Sequence, residues 1–184
     1  YNLGNLYFNG FGVGKDNFIA KSLFEQASEQ GITEALVKLA KIYMEGNGVN
    51  KNESEALKCF ELAAQKNNSN ALYNLGELYY HGLIVQKDYK KAKLYYEKSA
   101  NQSNLYALFQ LGCIYFEGKG VQQNYTKSKE YFELAAFNQN PDAFYFLGVF
   151  YSRGDILNVN LTKAISYFKE SVNIHYNKIE ILNC

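Results

Sequence analysis

The chain has 184 residues, 47% of them apolar and 20% charged, and a formal net charge of +1. This composition excludes a disordered tail, and the near-neutral charge argues against a nucleic-acid-binding protein. No apolar run approaches the roughly 20 residues of a membrane-spanning helix, so we expect no direct membrane insertion.

The first candidate motif is the glycine-rich stretch NGFGVGKD at residues 9–16. A phosphate-binding P-loop needs glycine where this chain has Asn9 and a Ser or Thr hydroxyl where it has Asp16, whose negative charge would repel a phosphate. The glycines also miss the spacing of a dinucleotide-binding fingerprint. Cys59, Cys113 and Cys184 do not have the spacing of a zinc site. The sequence therefore predicts no cofactor and no metal.

The same stretch returns every 36 residues without insertion or deletion, which is typical of a stacked repeat array. The copies are GNGVNKN at 46–52, GLIVQKD at 82–88, GKGVQQN at 118–124 and GDILNVN at 154–160. A turn between two helices is needed in every copy of such an array, whereas a phosphate loop is not. We predict an all-α fold, a solenoid of about five two-helix repeats. The units are expected at about 1–31, 32–67, 68–103, 104–139 and 140–175, with a sixth starting at 176–184 in a single domain over 1–184.

The first helix of each repeat is predicted from four columns at helical spacing. A leucine is followed by a small residue, then by a tyrosine three positions on, and then by a glycine that ends the helix. The leucine column is Leu3, Leu39, Leu75, Leu111 and Leu147, and the tyrosine column is Tyr7, Tyr43, Tyr79, Tyr115 and Tyr151. The glycine column is Gly10, Gly46, Gly82, Gly118 and Gly154.

The second helix follows a column of side chains suited to capping its exposed amides. The capping column is Asp16, Asn52, Asp88, Asn124 and Asn160, and the aromatic core column is Phe24, Phe60, Tyr96, Phe132 and Phe168. Asn68, Asn104 and Asn140 are expected to cap the next first helices, with Pro141 at a first helical position. Glutamates at 25, 61, 97 and 133, most with a lysine four residues earlier, are expected on a solvated outer face.

The pattern A-x-x-x-L-G-x-L-Y-x-x-G-x-G-V-x-x-D, followed by alanine, an aromatic residue and paired alanines, resembles the Sel-one-like repeat, a relative of the tetratricopeptide repeat. The resemblance covers essentially all 184 residues, with Ile84 and Ile156 replacing the second turn glycine. It implies a right-handed α/α superhelical solenoid. It also implies a non-catalytic scaffold or adaptor that binds a protein or peptide partner.

The resemblance also implies that the first helices line a concave groove. The predicted groove residues are Tyr73, Tyr80, Phe109, Phe116 and Tyr145, with His81 and Glu117 at the rim. In the alternative interpretation, these rings seal one first helix against the next.

Two other functions stay open as alternatives. The array could regulate an enzyme outside this chain. Some relatives with paired cysteines in each repeat bind or hydrolyse β-lactams, but this chain lacks those pairs. His81 and His175 lie in different repeats, with no nucleophile at a suggestive spacing. Sequons at Asn52, Asn67, Asn101, Asn124 and Asn160 are compatible with a secreted or luminal site, although three of them belong to the capping column.

Overall fold

The computed structural model describes residues 1–46, 48–153 and 158–182, with side chains up to residue 174. All regular structure in these ranges is α-helical, as predicted. The helices are α1 (Asn2–Asn9), α2 (Asn17–Glu29), α3 (Thr33–Glu45), α4 (Glu53–Gln65), α5 (Ser69–His81), α6 (Tyr89–Ala100), α7 (Leu105–Glu117), α8 (Tyr125–Phe137), α9 (Pro141–Ser152) and α10 (Leu161–Leu182).

The helices form two compact units, divided after Asp88. In the first unit, helices α1 to α5 pack each on the next in chain order. In the second unit, α6 to α10 pack in the same sequential way. Contacts between consecutive helices are what a repeat array requires. That the whole chain forms one domain stays a prediction.

The stretch NGFGVGKD is a helix end, a turn and a helix start, as predicted. Gly10 has a φ of 78°, and its amide donates to the Leu6 carbonyl at 2.8 Å, which ends α1. Asp16 Oδ1 accepts from the amides of Phe18 and Ile19, both at 2.9 Å, which begins α2. Left-handed glycines also end helices at Gly46, Gly82 and Gly118, and side-chain caps recur at Asn52, Asn124 and Asn160.

One turn departs from the glycine pattern. Ile84 adopts a left-handed φ of 52°, a conformation that costs about 1–2 kcal/mol for a residue with a Cβ. The corresponding Ile156 lies outside the described residues, as does Gly154.

The predicted core columns are buried in most repeats, but Leu3 is 51% exposed and Phe168 is only half-buried. The aromatic rings of Phe24, Phe60, Tyr96 and Phe132 on the second helices are all 0% exposed. Gly112 lets helices α7 and α8 approach closely, since a Cβ placed on it would lie 2.5 Å from the Phe132 ring. The second leucine of the repeat pattern, directly before the tyrosine, forms a further core column that the sequence analysis did not assign to the core. Its buried members are Ile42, Leu78, Ile114 and Phe150.

The expected helix start near residue 176 is absent, because α10 continues from Leu161 to Leu182. Earlier junctions between repeats turn through a left-handed residue, at Gly31, Asn67, Ser103 and Gln139. The sequence after Ser171 has no glycine, and Tyr176 stands where the three preceding junctions have a capping asparagine. Without those signals nothing interrupts the helical backbone.

Asn140 caps α9 and also links two repeats. Its side chain is 1% exposed, Oδ1 accepts from the Ala143 amide at 3.0 Å, and Nδ2 donates to the Leu105 carbonyl at 3.2 Å. Asn124, in the same unit, is exposed, and its Oδ1 accepts from the Lys127 amide at 2.9 Å.

We expect Asn140→Ala to lower the free energy of unfolding by about 2 kcal/mol or more, because it removes a cap and a buried inter-repeat hydrogen bond. Asn124→Ala removes a solvated cap and should cost about 1 kcal/mol. Urea denaturation followed by circular dichroism measures both. Equal costs would mean that the bond from Asn140 to Leu105 adds nothing.

Candidate functional site

The seven predicted groove residues are divided between the two compact units. Tyr73, Tyr80 and His81 lie on α5, whereas Phe109, Phe116 and Glu117 lie on α7 and Tyr145 lies on α9. Each group is described within its own unit.

In the second unit, the three predicted aromatic residues meet at one ring. Phe109, Phe116 and Tyr145 lie 5.6, 5.8 and 5.9 Å from Phe146, measured between ring centroids. The sequence analysis did not predict Phe146, because its column holds Lys38, Asn74 and Gln110 in other repeats. The aromatic run FYF at 144–146 is the local signal that could have indicated it.

Phe109 and Phe116 are half-buried in further ring contacts. The Phe109 ring lies 5.5 Å from Phe132, and the Phe116 ring lies 5.6 Å from Phe150. These contacts join helices α7, α8 and α9, which supports the sealing interpretation for both residues. Tyr145 differs, because it is 52% exposed.

In the first unit, the predicted rim histidine is exposed, whereas the two predicted tyrosines are half-buried. Tyr80 and His81 have ring centroids 4.9 Å apart in an edge-to-face arrangement. His81 Nε2 lies 3.7 Å from Glu77 Oε2, close enough for an ion pair when the imidazole is protonated. Tyr73 is half-buried on the same helix.

The Lys–Glu pairs of the second helices are less solvated than predicted. The pairs are Lys21–Glu25 at 2.9 Å, Lys93–Glu97 at 3.2 Å and Lys129–Glu133 at 3.2 Å. In each case a tyrosine from the next first helix joins the pair. The Tyr43 hydroxyl donates to Glu25 Oε1 at 3.5 Å, and Lys129 Nζ lies 5.5 Å from the Tyr151 ring centre. The hydrogen bond to Glu25 raises the pKa of Lys21. These clusters are junctions between repeats.

The described residues offer little for catalysis. Cys59 is 7% exposed, and burial, followed by the charge of Glu55, raises the pKa of its thiol to about 11. The thiol therefore stays protonated near neutral pH and is a poor nucleophile. Where side chains are described, no three His, Cys, Asp or Glu residues are grouped so as to hold a metal ion. Likewise, none of the described helices is long and apolar enough to cross a membrane.

The Sel1 repeat family model matches residues 1–32, 33–68, 69–104, 105–136 and 141–173. A crystal structure of a Sel1 repeat protein from Oxalobacter formigenes is 30% identical, with a TM-score of 0.88. The alignment covers 94% of this chain and 70% of that one. No curated protein sequence matches the chain significantly.

Two other solved structures are similar. The protective antigen c5321 of uropathogenic Escherichia coli, which has an SLR fold, is 28% identical with a TM-score of 0.61; the alignment covers 94% of this chain and only 45% of that one. Cysteine-rich protein B of Helicobacter pylori is 24% identical with a TM-score of 0.52, over 67% of this chain and 93% of that one, which shows a shared fold alone.

Sel1 repeat proteins generally mediate protein–protein interactions and are typically non-catalytic scaffolds. Five matched repeats, sequentially packed helices and the similarity to the Oxalobacter structure agree with one another. The chain is an all-α solenoid protein that belongs to the Sel1 repeat family.

Proposed function

We propose that the chain is a non-catalytic interaction scaffold that binds an extended or helical segment of a protein partner along its first helices. Tyr145 is the observation that carries this proposal. Its side chain is 52% exposed, yet its ring is held against Phe146 at 5.9 Å and Phe168 at 5.6 Å. An accessible aromatic side chain on a rigid base loses little entropy on binding, which is typical of interface hot spots.

The other predicted groove residues take different parts in this proposal. Phe109 and Phe116 form the half-buried base of the surface, because their rings pack against other rings. Glu117 is exposed, and its Oε2 atom lies 2.6 Å from Lys119 Nζ. It therefore belongs to a polar rim. His81 is exposed at the equivalent position of α5 and is a rim residue there in this proposal. A polar rim around aromatic anchors is the usual composition of a protein interface.

A second exposed ring provides a matched comparison. Phe137 is 84% exposed, and it lies at the end of α8, a second helix in the same compact unit. If any exposed aromatic side chain could capture the partner, Phe137 would do so at least as well as Tyr145.

We expect Tyr145→Ala to weaken binding of the partner by about tenfold or more, which is the loss of a single hot spot. Partners are identified by affinity capture with the 184-residue chain and mass spectrometry, and the affinity of a purified partner is then measured by calorimetry. Phe137→Ala serves as the control and should bind as tightly as the wild-type chain.

Thermal melts establish that both variants remain folded. If Tyr145→Ala binds like the wild-type chain, the surface around Tyr145 is not the binding site. If Phe137→Ala loses the partner instead, recognition uses the second helices. Capture of an enzyme whose activity changes on binding would favour the regulatory alternative.

A further inference from the structure

Three lysines lie close together near the Phe8 ring in the first compact unit. Lys15 follows α1, and its Nζ lies 5.7 Å from the centre of that ring. Lys38 on α3 places its Nζ 5.0 Å from the same ring centre. Lys41 lies one turn further along α3, so it shares a helix face with Lys38. Lys15 and Lys41 are exposed and Lys38 is half-buried, so a ligand can approach this group from solvent.

The charge of Lys38 is not compensated. Burial, followed by the charge of Lys41, lowers the pKa of Lys38. Lys21 shows the opposite effect, because its hydrogen bond to Glu25 at 2.9 Å raises its pKa. A partly desolvated cation beside a like charge is unfavourable unless an anion is supplied.

The neighbouring acidic residues of α3 do not supply that anion. Glu34 lies one turn before Lys38, but its Oε1 accepts a hydrogen bond from Asn68 Nδ2 at 3.2 Å. Glu45 lies one turn after Lys41 and is exposed. Among the residues that the structure describes, neither glutamate forms an ion pair with either lysine.

Lys15 is likewise unpaired, although Asp16 follows it in the chain. Asp16 Oδ1 accepts the backbone amides of Phe18 and Ile19, both at 2.9 Å, and so caps α2. The Lys15 ammonium group contacts the Phe8 ring, and within the described residues it has no carboxylate partner.

The repeat fold does not require lysine at positions 38 and 41. The equivalents of Lys38 are Asn2, Asn74, Gln110 and Phe146, and those of Lys41 are Asn5, Glu77, Cys113 and Val149. Like charges on adjacent turns of a helix destabilise it slightly. Two lysines that oppose stability and occur in one repeat only are typical of a binding surface.

The position of these charges favours separate carboxylates over a phosphate. Phosphate sites commonly use arginine or the free amides of a helix N-terminus, whereas Lys38 and Lys41 lie in the interior of α3. The formal charge of +1 does not favour nucleic acid. Alternate side chains of an extended peptide lie about 7 Å apart on one face. This spacing is close to the roughly 5–6 Å between Cβ atoms three positions apart on a helix.

We propose that Lys15, Lys38 and Lys41 form a lysine site for an acidic segment of a protein partner, with glutamate or aspartate at alternate positions. The carboxylates of that segment supply the negative charge that the lysines lack. This inference rests on the proposed scaffold function, because it names the chemistry of a partner segment. Its test uses a defined peptide and the first unit, whereas the Tyr145 test uses a captured partner and the second unit. The two failures can therefore be distinguished.

The test is an NMR titration of the ¹⁵N-labelled 184-residue chain with the peptide acetyl-EAEAE-amide. We expect the backbone amides of Lys15, Lys38 and Lys41 to shift, with a Kd on the order of millimolar, because each exposed ion pair contributes little. Raising the sodium chloride concentration from about 20 mM to about 300 mM should weaken binding by about threefold or more. The neutral analogue acetyl-QAQAQ-amide should leave these signals in place.

Lys38→Gln combined with Lys41→Gln removes two of the three charges. We expect this double variant to bind acetyl-EAEAE-amide about tenfold more weakly and to melt within about 2 °C of the wild-type chain. The control combines Lys58→Gln with Lys66→Gln, which removes two exposed charges from α4 and its end in the same compact unit. This control should bind the peptide as tightly as the wild-type chain.

A single exposed change, Lys41→Gln, keeps the test valid if the double variant does not fold, and it should weaken binding by about threefold. Equal shifts with the acidic and neutral peptides would overturn the proposal, as would an equal loss of binding in the control variant. Tighter binding of an oligothymidylate through the same lysines would also overturn it, because the ligand would then be a nucleic acid.

Discussion

Replacing Phe132 with alanine is expected to lower the free energy of unfolding by about 3–5 kcal/mol. The ring is 0% exposed at the centre of an aromatic cluster in the second unit, with centroids 4.9 Å from Phe146 and 5.5 Å from Phe109. The glycine at 112 allows α7 to lie against this ring, so a smaller side chain leaves a cavity that the tightly packed helices cannot readily close.

The same helix supplies the control for this variant. Phe137 lies five residues further along α8 and is 84% exposed, so Phe137→Ala should change the stability by less than about 0.5 kcal/mol. Guanidinium unfolding monitored by circular dichroism compares both variants with the wild-type chain. A cost below about 1 kcal/mol for Phe132→Ala would show that the ring is not part of the repeat core.

The repeat period made most of the fold predictable, because several repeats carry the same helix-capping residues and helix-ending glycines. Asp16 and Asn124 cap their helices as predicted, and Gly10 and Gly118 end theirs. The second-helix rings form the buried core for the same reason. The continuation of α10 past residue 176 shows the converse, because the expected boundary there rested on spacing alone and lacked a glycine or a cap.

Residues that occur in one repeat only were not predictable in this way. Phe146 organises the aromatic cluster of the second unit, but lysine, asparagine and glutamine hold its column elsewhere. Asn17, which is buried at the start of α2, is equally singular, because two other repeats have a tyrosine at the equivalent position. Comparison of equivalent positions across the repeats does not identify such residues, and their contacts are known only from the packing of the neighbouring helices.

Exposure within a column also depends on the neighbours. Val37, Phe109 and Tyr145 share one column, yet Val37 is 6% exposed and Tyr145 is 52% exposed. Phe109 is covered by Phe146, which comes from the following repeat. The sequence therefore predicted aromatic side chains on the first helices, but it could not tell which of them lie under a ring of the next repeat and which face solvent.

The core column formed by the second leucine of the repeat pattern leads to the second large effect. Leu78 on α5 is 2% exposed, and we expect Leu78→Ala to cost about 2–5 kcal/mol of unfolding free energy. Leu6 holds the same column position on α1, in the same compact unit, but it is 41% exposed. Leu6→Ala removes the same atoms, but the Leu6 side chain buries less apolar surface than that of Leu78. This variant should therefore lower the free energy of unfolding by about 1 kcal/mol or less.

This pair separates the contribution of burial from that of residue type, because both changes delete an identical side chain from helices of the same repeat design. Urea unfolding of both variants, measured at two protein concentrations, gives the comparison. A small cost for Leu78→Ala would mean that the column is not part of the core. An equally large cost for Leu6→Ala that grows with protein concentration would mean that another copy of the chain covers Leu6 in solution, because association stabilises the folded state by mass action.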